Sequence, residues 1–365
     1  MSLQCGIVGL PNVGKSTLFN TLTKAINAQA ANFPFCTIEP NMGIITVPDE
    51  RLRKLEELVK PQKTIPTTVE LVDIAGLVKG ASKGEGLGNQ FLGNIRSVDA
   101  IVHVVRCFED ENVIHVDGSI DPVRDKDVID TELQFKDLES LEKKLEKSKK
   151  SSKGGDKDAK KSAEVCQLYI DHLMQGKSAR SLEMDDDSKE FIADLNLLTA
   201  KPVLYACNVD ENSAKDGNAM VDKIRVIAKE EGAEVLVISA KIESEIVLLD
   251  EDEQEMFLED IGLTESGMDR LIKSCYKLLD LETYFTAGEK EVRAWTINKG
   301  TKAPQAAAVI HTDFEKGFIR AEVMAYADYV EHGSESGCKD AGKFRVEGKD
   351  YVVKDGDIMH FRFNV

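Results

Sequence analysis

The chain has 365 residues, 42% of them hydrophobic and 31% charged, with 26 Gly and 9 Pro. Those proportions suit a globular protein of roughly two or three domains and exclude collagen-like, disordered and mucin-like chains. Its 47 basic and 65 acidic side chains give a net charge of −18, which excludes a surface coated throughout in nucleic acid but leaves room for a local basic patch.

The chain begins with Gln4–Val8, an apolar run expected as a core strand. No basic stretch precedes it, so a signal peptide is not expected, and no run of about 18 apolar residues predicts a membrane span. Gly9-Leu10-Pro11-Asn12-Val13-Gly14-Lys15-Ser16 follows, matching G-x-x-x-x-G-K-S between that strand and a helix running through Thr17, Leu18 and Phe19. Asn12, Val13, Gly14, Lys15, Ser16 and Thr17 are therefore expected to hold a triphosphate, their backbone N–H groups aided by the positive end of the helix dipole. Lys15 should act as a catalytic point charge on the β/γ oxygens, and Ser16 should offer its hydroxyl to Mg²⁺. Asn12 is also a candidate ligand for a monovalent cation such as K⁺.

Thr37, in the loop 33–40, either completes the Mg²⁺ shell as a switch threonine or is a turn residue before a strand. A second strand at 67–72 runs into Asp73-Ile74-Ala75-Gly76. In such NTPases the Asp holds the metal through a water and the Gly N–H senses the γ-phosphate. The next residue, Leu77, stands where Ras-like GTPases use a Gln to orient the attacking water. An aliphatic side chain cannot align water, so slow hydrolysis is expected. The third strand is Ala100–Arg106, with His103 expected in the core. His115, in the loop after it, is either a half-exposed loop residue or the group that handles the water.

Leu133, Leu138, Leu141 and Leu145, and then Val165, Leu168, Tyr169 and Leu173, predict a helical hairpin over 129–195 that turns at Gly154-Gly155. Residues 136–161 hold ten Lys and six acids, a local +4 that leaves −22 for the rest. Such a run is a solvated helix tip or a phosphate-binding patch. The fourth strand, 202–208, ends in Asn208-Val209-Asp210-Glu211, where a guanine site shows N-K-x-D. The longer Glu211 should not keep the bidentate contact to guanine unaided. A lost charged hydrogen bond is worth roughly 1.5–3 kcal/mol, so guanine preference should fall about 10- to 150-fold. Asn208 could instead pair its amide with adenine N6 and N7. After the fifth strand, 234–239, the run Ser239-Ala240-Lys241 should close over the base with backbone N–H groups.

From residue 282 the texture changes to short strands at 292–296, 307–311, 351–353 and 358–363, a compact β-rich module of 84 residues. The 7 Cys are odd in number and scattered, without a C-x-x-C pair, and read as reduced thiols of a cytoplasmic protein.

Together these motifs resemble one family, the YchF or Obg-like ATPases of the Obg-related, translation-factor class of P-loop GTPases. The resemblance is carried by residues 9–16 and 32–40, by Asp73-Ile74-Ala75-Gly76-Leu77 and Asn208-Val209-Asp210-Glu211, and by Tyr284-Phe285-Thr286-Ala287-Gly288. It extends through Ala294-Trp295-Thr296-Ile297 and residues 311–319, almost the whole chain. It implies an α/β fold, with a Ras-like G domain over 1–128 and 196–281, a helical coiled-coil insertion over 129–195 and a TGS domain over 282–365. It further implies slow hydrolysis of ATP in preference to GTP, with Mg²⁺ on Ser16, Thr37 and Asp73 and catalysis by His115, Lys15 and Gly76. The base falls to Asn208, Val209, Glu211, Ser239, Ala240 and Lys241. The implied partner is the ribosome or its RNA, met through the Lys-rich arm and the TGS module, with no membrane and a monomeric chain. A true GTPase, or a nucleotide-stabilised scaffold with incidental turnover, are the alternatives.

Overall fold

A computed structural model of the chain describes residues 3–30, 38–39, 41–74, 87–111, 113 and 118–364. In chain order the elements are β1 (Gln4–Val8), α1 (Lys15–Ala30), β2 (Ile38–Glu39), β3 (Met42–Thr46), α2 (Glu50–Val59), β4 (Thr64–Ile65), β5 (Thr68–Asp73), α3 (Leu87–Ser97) and β6 (Ala100–Arg106). Then come α4 (Pro122–Ser152), α5 (Lys157–Leu173), α6 (Asp186–Glu190), β7 (Val203–Asn208), α7 (Ala219–Glu231), β8 (Glu234–Ile238), α8 (Ala240–Ile246), α9 (Glu251–Asp260) and α10 (Gly267–Leu278). The chain ends with β9 (Leu281–Ala287), β10 (Val292–Asn298), α11 (Ala303–Ile310), α12 (Thr312–Lys316), β11 (Phe318–Ala325), α13 (Tyr326–His332), α14 (Glu335–Asp340), β12 (Arg345–Glu347) and β13 (Asp357–Phe363).

Seven strands form one sheet in the order β2-β3-β5-β1-β6-β7-β8, and the neighbours from β5 to β8 are parallel. Every residue of β6 and β7 is buried, as expected of strands covered on both faces by helices. Most of this sheet lies in the first of two compact units, residues 1–25, 38–43 and 70–271, while residues 44–46 of β3 and 68–69 of β5 group with the second.

The first unit carries the two longest helices. Asp121 caps α4, accepting from the N–H groups of Val123 and Arg124, and Pro122 follows where its missing N–H costs nothing. Gly155, at φ 90°, makes the turn to α5. Leu141 and Leu145 of α4 meet Val165, Tyr169, Ile170 and Leu173 of α5 in a shared apolar seam. Leu168, expected on that seam, is half exposed, and α4 begins at Pro122, seven residues ahead of the expected 129.

At the root of α4 a charged knot ties it to the sheet and to α7. Lys126 Nζ lies 2.7 Å from Asp130 Oδ2 and 2.8 Å from Glu231 Oε1. Glu231 Oε2 accepts from Arg180 at 2.6 Å and from the Tyr205 hydroxyl at 2.7 Å. These side chains are almost wholly buried, so each charge depends on the others for its solvation.

The second unit comprises residues 26–37, 44–69 and 272–365. Its six-stranded sheet runs β12-β11-β13-β9-β10-β4. Sequence reading runs the first domain through residue 128, whereas 44–69 belongs by its contacts to this second unit. β4 pairs in parallel with β10, and Leu52 and Leu55 of α2 join Phe285, Ala294 and Ile358 in one core.

Two strands expected in the C-terminal module are corrected. Residues 307–311 lie in and just after α11, whose Ala-rich sequence APQAAAVI favours a helix and starts with Pro near its first turn. An apolar run this short does not reveal its period. Residues 351–353 form only an isolated bridge, Lys302 to Val352. The module also carries helices α11 to α14, which the short-strand pattern does not predict.

Candidate nucleotide-binding site

β1 delivers the chain to the middle of the sheet, and residues 9–14 turn it into α1. Gly14 has φ 95°, and a Cβ there would fall 2.1 Å from Asn208 Nδ2, so the close approach of loop and β7 requires glycine. Asn12 takes the left-handed backbone at φ 63°, with its side chain exposed. The Leu18 N–H to Gly14 carbonyl bond of 3.0 Å starts the helix, and Ser16 and Thr17 lie exposed in its first turn.

Lys15 is 9% exposed, and its ammonium pairs with Asp73 Oδ1. Asp73 is brought there by the parallel register of β1 and β5, which sets Ile7 against Asp73, and by its N–H bond of 2.7 Å to Asn41 O. A cation, a carboxylate and an exposed hydroxyl thus converge at a helix N-terminus. Hard oxygen donors of this kind suit Mg²⁺, which takes one or two protein oxygens and completes its shell with phosphate and water. Among the described residues no cluster of three His, Cys, Asp or Glu side chains offers an all-protein metal cage.

At the other end of the site Asn208, 3% exposed, acts as a brace. Its Nδ2 donates to Val13 O at 2.9 Å and its Oδ1 accepts the Ala240 N–H at 2.9 Å. The expected pairing of this amide with adenine N6 and N7 is therefore corrected: both of its ends are turned to the protein. Val209 is buried, and Asp210 accepts from the Ser213 N–H and hydroxyl. Glu211 carries an ion pair with Lys241. Ser239 Oγ is buried without a hydrogen-bond partner among the described residues.

The structure thus gathers Asn12, Val13, Gly14, Lys15, Ser16, Thr17 and Asp73 at one end, and Asn208, Val209, Glu211, Ser239, Ala240 and Lys241 at the other. Thr37, Gly76, Leu77 and His115 lie outside the described residues. His103 is a core residue of β6, its ring 5.6 Å from that of Tyr205, and burial pulls its pKa down to about 4. Sequence reasoning misses Arg106. It is 1% exposed at the end of β6, lies 4.6 Å from the Phe108 ring, and donates to the carbonyls of Phe108 (3.2 Å), Val113 (3.0 Å) and Asp110 (3.4 Å). One guanidinium thereby ties together the carbonyls of residues 108, 110 and 113 just beyond β6. A charge closing an otherwise apolar strand was the available signal.

Two family models match the chain: a 50S ribosome-binding GTPase model over residues 4–144, and the YchF-GTPase C-terminal model, described as a protein of unknown function, over 281–364. The chain is similar to the ribosome-binding ATPase YchF of Pasteurella multocida, with 57% identity over 365 residues and full coverage of both chains. The protein of the same name from Bacillus subtilis is 56% identical over 367 residues, again across the whole of both. Among solved structures, the Schizosaccharomyces pombe YchF GTPase superposes with a TM-score of 0.89 at 42% identity, covering 99% of this chain and 98% of that one.

Proposed function

The chain belongs to the YchF family of P-loop NTPases, and from that premise we propose that it binds ATP with Mg²⁺ in preference to GTP, hydrolyses it slowly, and serves as a switch read by the ribosome in the cytoplasm. The observation that carries the base preference is Asn208-Val209-Asp210-Glu211, which lacks both the Lys and the Asp of the guanine motif. The bacterial relatives are named ATPases, which supports this reading, and the fission-yeast relative is named a GTPase, which supplies the rival. Equilibrium titration with fluorescent ATP and GTP analogues separates them. Tighter ATP binding is expected, and GTP binding tenfold tighter than ATP would overturn the assignment.

In this reading Ser16, Asp73 and Thr37 would hold Mg²⁺, which would supply neutralisation of charge on the triphosphate oxygens. Lys15 leaves Asp73 for those oxygens, and the loop N–H groups from Asn12 to Thr17 orient the phosphates. Asn12 is the candidate for K⁺. His115 takes a proton from the attacking water, the role Leu77 cannot fill, as water adds to the γ-phosphorus and the bond to the β-phosphate oxygen breaks. The Gly76 N–H reads whether the γ-phosphate is present.

The α4–α5 pair is the coiled-coil arm of this reading, and residues 282–365 are its TGS domain, both facing the ribosome from a monomeric chain. The arm has the chemistry for RNA phosphates. Lys147, Lys149 and Lys153 are exposed and make no ion pair among the described residues, while Lys150 pairs with Glu146 at 2.7 Å on the open face of the helix. Replacing Lys147, Lys149, Lys150 and Lys153 with Gln should weaken ribosome binding and lower its salt slope by about one per lost phosphate contact, measured by sedimentation at several salt concentrations. Unaltered binding would leave the run as a solvated helix tip.

A further inference from the structure

At the base end of the site, the described side chains that the protein does not turn inward are Glu211 and Lys241, 45% and 66% exposed. They come from separate segments, the turn after β7 and the first turn of α8, and meet because β7 and β8 are parallel neighbours. Lys241 Nζ donates to Glu211 Oε1. The surrounding charges favour this pairing. Lys241 lies in the field of Glu211, Glu245 and Asp110, and its hydrogen bond holds the Glu211 carboxyl below its ordinary range against the repulsion of Asp110.

Guanine presents two adjacent donors, the N1–H and the N2 amino group, which call for an unshared carboxylate. Adenine has an acceptor at N1 and only a C–H at C2, its amino group lying on C6. We propose that Lys241 is a specificity-determining residue: by occupying the Glu211 carboxylate it withdraws the acceptor guanine would use, and so biases the site toward adenine. Guanine must displace an ammonium to reach that carboxylate, whereas adenine makes no such demand. The inference rests on the reading of the site as one for ATP, but it concerns the Lys241 side chain, where the run 239–241 is expected to meet the base through backbone N–H groups.

The test uses Lys241→Met, which keeps an unbranched side chain of good helix propensity on an exposed turn and removes its charge. Calorimetric affinities for adenylyl and guanylyl imidodiphosphate with Mg²⁺ give a guanine-to-adenine ratio. That ratio is expected to rise about threefold, the scale of an exposed ion pair. The rise should vanish when K241M is made in a Glu211→Gln background. An unchanged ratio in K241M overturns the proposal, and so does an equal rise in the E211Q background, because Lys241 would then act on the base without Glu211. If the wild type prefers the guanine analogue and K241M raises that preference further, the ATP reading fails while the clamp stands.

Discussion

Replacing Lys15 with alanine is expected to lower nucleotide turnover by about 10² to 10³-fold, the scale on which a single preorganised charge acts on a transition state. The lysine is 9% exposed and already desolvated beside Asp73, so its charge needs little reorganisation to reach phosphate oxygens. Its loss should also weaken binding, because Asp73 would then face the triphosphate without a counter-charge. His115→Ala is expected to part from it: affinity stays, and turnover falls by about 10²-fold, as for a general base. Single-turnover hydrolysis together with calorimetric affinity checks both. Wild-type turnover in K15A would remove the phosphate site, and wild-type turnover in H115A would remove only the assigned base.

Glu231→Ala should destabilise the first unit by about 3 kcal/mol, the usual result of breaking a buried ion pair from one side. Arg180 would be stranded without its carboxylate, Lys126 would keep Asp130 and the more distant Asp127, and the Tyr205 hydroxyl would lose its acceptor. Burial works against the charge on Glu231, but Arg180 and Lys126 outweigh it and hold its pKa at about 2. A depressed carboxyl pKa gives stability that is present above the unfolded value, about 4.5, and lost as the pH falls through 2. The gap between wild type and variant should therefore stay constant from pH 8 to 5 and close toward pH 2, as read from urea unfolding at each pH. A change under about 0.5 kcal/mol at pH 7 would show that the knot is not what fixes the root of α4.

The strand, turn and helix start over residues 4–30 were legible because their signals are local. A strand, a glycine-rich turn and a helix start follow one another without interruption along the chain, and β1 and β6 have the bounds their apolar runs predict. The brace made by Asn208 was not legible. It depends on Val13 and Ala240, which lie far from it in sequence and meet it only through strand order. The same holds for the Lys126–Glu231–Arg180 knot, whose members show up individually as ordinary surface-type charges. The helix α11 was misread because Ala and Val supply apolar content without a resolvable period. The placement of 44–69 escaped because sequence reading joins neighbours along the chain, and nothing in α2 announces that Leu52 and Leu55 will meet Phe285.

That last placement bears on synthesis. The strand β4 and the helix α2 emerge about two hundred residues before the rest of the unit whose core they complete. Until β10 arrives, the early segment has an apolar helix face with no complement. Once β10 arrives, its edge is closed only by a strand made long before. No single cut in the chain releases this C-terminal module whole: a fragment starting near residue 272 carries an open sheet edge and lacks part of its core, so the module is separable in space but not in sequence.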